Sequence, residues 1–107
     1  MNAELDYLPF FVGEPEEIAT VLEQHLGFSR QDTLTLLRGN YEAGKLMQRE
    51  VTIPTDNCLR DYVKLRDAGI AIETLPYYAN DGLRVAARDH AGNRFLLVEK
   101  RNYAENE

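Results

Sequence analysis

The chain of 107 residues has no tryptophan, one cysteine and two histidines. A single cysteine, Cys58, cannot form an internal disulfide, so the core has to hold the fold. No apolar run reaches roughly 18 residues, the length a transmembrane helix needs. The opening Met-Asn-Ala-Glu-Leu-Asp lacks the basic region and apolar stretch of a signal peptide. With the lone cysteine, this sets the expectation of a cytoplasmic domain. Basic residues are also in deficit: 12 against 18 acidic ones, for a formal charge of -6. The lysines and arginines are scattered rather than clustered. Phosphate backbones require a basic patch, so neither nucleic acid nor a membrane is an expected partner. Gly39, Gly44 and Gly82 are isolated, so there is no glycine-rich phosphate loop, and no serine nucleophile motif is present.

Hydrophobic residues at 44% and charged residues at 28% describe a globular chain, and the length suits one domain spanning 1–107. Leu5 to Val12 reads as an aromatic strand with Pro9 at an edge or bulge. Gly13-Glu14-Pro15-Glu16-Glu17 reads as a helix start. Ile18, Val21, Leu22, His25 and Leu26 then fall on one face of a helix that Gly27 stops. Phe28 to about Pro54 reads as strands: Thr33–Leu37, Tyr41–Met47 and Arg49–Ile53, with a turn at Arg38-Gly39-Asn40. Thr55-Asp56-Asn57 offers caps for a second helix carrying Leu59, Tyr62, Val63 and Leu65, ended by Gly69. Strands follow at Ile70–Leu75, Leu83–Arg88 and Arg94–Lys100. The last two are joined by a tight Asp89-His90-Ala91-Gly92-Asn93 turn.

The two halves repeat. Asp56 lies as far beyond Glu14 as Gly69 lies beyond Gly27, and Val63 and Ile70 take the places of Val21 and Phe28. The reading is an α+β chain of two βαβββ modules, about 4–48 and 49–101, with a polar tail at 102–107.

Three stretches carry a resemblance to a known family: Leu26-Gly27-Phe28, Asp67-Ala68-Gly69-Ile70 and Asp89-His90-Ala91-Gly92-Asn93-Arg94-Phe95. In this order they resemble the vicinal oxygen chelate superfamily, which includes glyoxalase I, the extradiol dioxygenases and the fosfomycin- and bleomycin-resistance proteins. His90 stands where the family has proline. The resemblance implies a curled mixed sheet around a cavity, often completed in a homodimer. In metal-dependent members it also implies His or Glu ligands at inward strand positions. Those positions map here to Tyr7, Arg49 and Leu96, with a fourth near Glu42 or Ala43. A divalent ion needs three or four convergent donors, and a permanently cationic arginine repels it. The resemblance is therefore closest to the metal-free, bleomycin-resistance-like branch, with no metal and no cofactor expected.

Tyr7 and Arg49 then offer a phenol and a guanidinium to a small-molecule ligand. Tyr77 and Tyr78, after Pro76 in a connecting segment, could stack on it, and Leu96 lines the cavity. Two other functions stay open: a metal-dependent lyase or dioxygenase with rearranged ligands such as His25, Glu42 and Glu99, and a protein-interaction module. His25 and His90 are expected on separate elements, and the sequence shows no evident His or Asn to activate Cys58 as a nucleophile.

Overall fold

The computed structural model describes residues 15–80 and 82–100. Tyr7, the expected first strand and the polar tail lie outside the described residues. Helix α1 (Pro15–Thr20) runs on as a π-turn (Val21–His25), helix α2 spans Arg30–Glu42 and helix α3 spans Cys58–Asp67. The strands are β1 (Glu50–Pro54), β2 (Ala71–Ala79), β3 (Gly82–Arg88) and β4 (Arg94–Lys100). They form one mixed sheet in the order β1-β4-β3-β2, with β1 parallel to β4 and the other pairs antiparallel. No helix among the described residues is long and apolar enough to cross a membrane.

The second half follows its sequence signals closely. Strand, helix and three strands appear in the expected order. Asn57 caps α3 by accepting a hydrogen bond from the Arg60 amide, and Glu99 reaches from β4 to accept one from the Cys58 amide. Thr55 donates its hydroxyl to the buried Asp61 carboxylate, tying the β1–α3 loop to the helix. Cys58, Asp61 and Leu65 form the buried stripe of α3, whereas Leu59 and Val63 face outward.

The first half departs from the expected module at residue 30. Thr33–Leu37 and Tyr41–Met47 are not strands; α2 occupies most of that stretch. The alternation Thr-Leu-Thr-Leu satisfies a period of two. The same segment buries Thr33, Leu37 and Asn40, a helical spacing. Ser29 settles the choice by accepting a hydrogen bond from the Asp32 amide, an N-cap that a strand has no use for. The shared punctuation still holds up to that point. Gly27 and Gly69 end their helices at φ 79° and 85°, the left-handed conformation glycine adopts at least cost.

The three described helices pack against one face of the sheet. Ile18, Leu22, Leu37 and Leu65 meet Val51, Ile53, Val85, Phe95 and Leu97 there. Full burial contributes roughly 1.5–3 kcal/mol for each large apolar side chain. Helix α2 also reaches the outer edge of β1. The Asn40 side-chain amide donates to the Thr52 carbonyl at 3.1 Å and its oxygen accepts from the Thr52 amide at 2.7 Å, copying a strand neighbour. It donates again to the Leu36 carbonyl at 3.0 Å.

Replacing Asn40 with Ala strands the Thr52 amide and carbonyl. We expect a loss of about 2–4 kcal/mol in urea unfolding, with faster self-association by light scattering as the β1 edge opens. A variant as stable as wild type would show that the edge is closed by something else.

Candidate functional site

The face of the sheet away from the helices is built in rows, one residue from each strand. The register places Thr52, Leu96, Ala86 and Thr74 side by side across all four strands. None is charged, and Ala86, Leu96 and Val98 form an apolar cluster separate from the main core. The Thr52 Oγ1 atom in this row is buried without a hydrogen-bond partner. Thr74 uses its hydroxyl to accept the Ala86 amide at a bulge in β2.

One end of the row is flanked by charge. Arg94 donates to Glu50 at 2.7 Å and to Glu73 at 2.7 Å, Arg88 donates to Glu73 at 2.8 Å, and Lys45 reaches Glu50 at 3.4 Å. Alternation with the buried Phe95 turns Arg94 onto this face of the sheet, between two carboxylates. Burial alone would push the Glu50 carboxyl up, but the Arg94 and Lys45 hydrogen bonds and charges outweigh it and hold it below the ordinary range. Glu73 is held low chiefly by the Arg94 hydrogen bond, then by Arg88. The other end carries Pro54, Val98, Arg84 and Tyr77.

The expected site residues separate on this frame. Leu96 lies in the uncharged row and Tyr77 on the same face. Tyr78 does not join them. Both tyrosines lie within β2 rather than in a connecting loop. Tyr78 pairs with Leu83, so it points to the opposite face. Arg49 precedes β1 in a left-handed turn, φ 57°, and donates to the Ala91 carbonyl at 3.2 Å, so it braces the β3–β4 turn. The position that the resemblance maps to Arg49 lies one residue short of the strand. The alternation of Val51 and Ile53 with Glu50 and Thr52 was the signal that names the true sheet-facing pair. His25, Glu42 and Glu99 sit on the α1 π-turn, the end of α2 and the α3 cap. Among the described residues, no three His, Cys, Asp or Glu side chains are grouped to hold a metal. Glu99 lies on the helix side of the sheet, opposite in sense to Leu96, as its odd spacing requires.

The sequence reading also separated two residues that the fold brings together. His25 and His90 line one cleft of about 400 Å³ between α1, the α3–β2 corner and the end of β3, together with Glu17 and Arg88. Helix periodicity and turn signals are local, so nothing in them could register this approach.

No family model matches the chain, and no curated protein matches it. Among solved structures it is similar to a member of the glyoxalase/bleomycin resistance protein/dioxygenase superfamily from Sphaerobacter thermophilus DSM 20745. The two share 18% identity and a TM-score of 0.50, over 84% of this chain and 91% of that one. A partial likeness covers 47% of this chain and 43% of an integron cassette protein from the mobile metagenome of V. Cholerae, at 20% identity and a TM-score of 0.35. The first likeness shows a shared glyoxalase-like α+β fold and supports, at the level of fold, the resemblance carried by the sequence motifs.

The carboxylates fix a pH response. Glu50 and Glu73 titrate below their ordinary value near 4.5, so their stabilisation is complete above that value and fades as pH falls through the folded values. Acid unfolding from about pH 5 downward should be steeper in wild type than in a Glu50→Gln, Glu73→Gln double variant. Parallel stability curves for the two proteins would remove the lattice from the acid response.

Proposed function

We propose that the chain binds a small organic molecule on the sheet face away from its described helices, without a metal. The observation that carries this reading is the row Thr52, Leu96, Ala86 and Thr74, in which one hydroxyl is buried and unpartnered. Small apolar side chains with a few convergent polar groups suit the apolar body of a ligand and fix its orientation. A buried hydroxyl without a partner is under-satisfied, and a ligand donor or acceptor would relieve it. Tyr77 and Arg84 at one end can meet an aromatic or anionic group. A divalent ion does not fit the row, which offers neither carboxylate nor imidazole. The fold shared with a glyoxalase/bleomycin resistance superfamily member is in keeping with this reading. Tyr7, lying outside the described residues, belongs to the same proposed site by the sequence reading alone.

The reading includes a homodimer, because one four-stranded sheet makes one wall and a second copy can make the other. Leu75 on β2 is 69% exposed and Tyr78 66%, an apolar surface available to such a contact. Light scattering in line with gel filtration should give twice the monomer mass. A monomer at all concentrations would remove this part.

The binding test uses chelator-treated protein in a thermal-shift assay with benzoate, benzamide and benzamidine, then with Ni, Zn, Mn and Fe(II). We expect an aromatic probe to raise the midpoint. Tyr77→Ala should weaken that probe roughly tenfold, and Thr52→Val should weaken it without lowering the unliganded midpoint. A metal at a hundred times its Kd would add roughly 2.7 kcal/mol. A stoichiometric metal with such a shift would overturn the metal-free reading.

A further inference from the structure

The cleft under α1 shares only Arg88 with the sheet face, and its chemistry is more distinctive. Three titratable side chains on its walls are uncommitted among the described residues: Glu17 from α1, His25 from the π-turn and His90 from the β3–β4 turn. The other charged groups there are already engaged. Asp89 accepts hydrogen bonds from the Ala91 and Asn93 amides and from the Asn93 side chain, at 3.0, 2.8 and 3.0 Å. Arg88 donates to Glu73 and to the Gly92 carbonyl.

Glu17 is the odd group in this set. Its Oε2 atom is shut off from solvent and has no hydrogen-bond donor. A carboxylate that has lost part of its hydration with no protein donor in return is under-compensated, and a cation brought to its remaining oxygen offsets the deficit. The rest of the lining is hydrocarbon, from Val21 and Ile70 among others. A volume near 400 Å³ lies within the range of small-ligand pockets. The formal charge of -6 favours the approach of a cation from a distance.

We propose that this cleft is a second binding site, for a small organic ammonium ion. The ammonium group meets Glu17, the apolar body lies along Val21 and Ile70, and His25 and His90 flank it with their ring nitrogens. The site lies outside the uncharged sheet row and stands or falls independently of it.

The test is a titration of the intact protein with phenethylamine, its neutral analogue phenethyl alcohol and the anion phenylacetate, followed by proton NMR of the histidine rings. We expect phenethylamine to bind with a Kd below about 1 mM and to shift the ring signals of both His25 and His90. The alcohol and the anion should bind at least about tenfold more weakly. Glu17→Gln should abolish that preference for the cation. Thr20→Phe, on the exposed rim, should block the cleft without touching the carboxylate, which covers the case of a Glu17 variant that folds poorly. Equal affinity for the three probes overturns the proposal. So do phenethylamine binding unchanged in both variants, and histidine signals that do not move.

Discussion

The outer edge of β1 is the constraint on which the arrangement turns. A parallel strand at the rim of a sheet leaves a row of unpaired amides and carbonyls, and β4 satisfies only the inner side. Asn40 supplies the outer side with a single side-chain amide that both donates and accepts at Thr52. That bond pins α2 alongside the sheet, and α2 in turn carries Leu37 into the core and leads to the turn that places Glu50 and Arg49. A helix stands beside β1 where the sequence pattern would have placed strands. The described sheet is accordingly a single wall of four strands.

Charge on the sheet is sorted by the same register. Glu50, Arg94 and Arg88 share one row, and Glu73 bridges both arginines, so two cations and two carboxylates neutralise each other at one end. These pairs all keep some exposure to solvent, and each contributes little alone. Their effect is positional. Arg94 is held at two points and is not free to swing over Leu96, its neighbour but one. The uncharged row therefore stays uncharged because the adjacent charges are occupied with one another.

How much of this was legible in the sequence depends on how local each signal is. The helix start at Thr55-Asp56-Asn57, the Gly69 stop and the Asp89–Asn93 turn are fixed by residues within a few positions of one another, and each was legible, with the structure selecting Asn57 from the three possible caps. The turn is a small cage: Asp89 accepts three hydrogen bonds, and Gly92 at φ 92° supplies the backbone conformation that lets it close. At Thr33–Leu37 two periods fit the same letters. The deciding facts were a cap at Ser29 and a long-range bond from Asn40, the second of which no local pattern contains. Pro76 suggested a loop for Tyr77 and Tyr78, but bulges on either side of Thr74 absorb the irregularity and keep both in β2. The site suffered most from a one-residue offset. In a strand that offset reverses the face, which is why Glu50 and Thr52, rather than Arg49, belong to the sheet surface.

The β3–β4 turn connects the two regions with chemical character. Arg49 grips the Ala91 carbonyl from outside, Arg88 grips the Gly92 carbonyl, and Asp89 fastens the interior. Arg88 belongs to both regions, since it lines the cleft under α1 and also pairs with Glu73 on the sheet face. His90, next along the chain, projects from a backbone fixed on both sides. Side chains carried on a braced turn keep their positions without the ordering cost that a loose loop would impose on binding. The bonds that close the turn therefore hold one wall of the cleft and, through Arg88, anchor one corner of the charged lattice that borders the uncharged row.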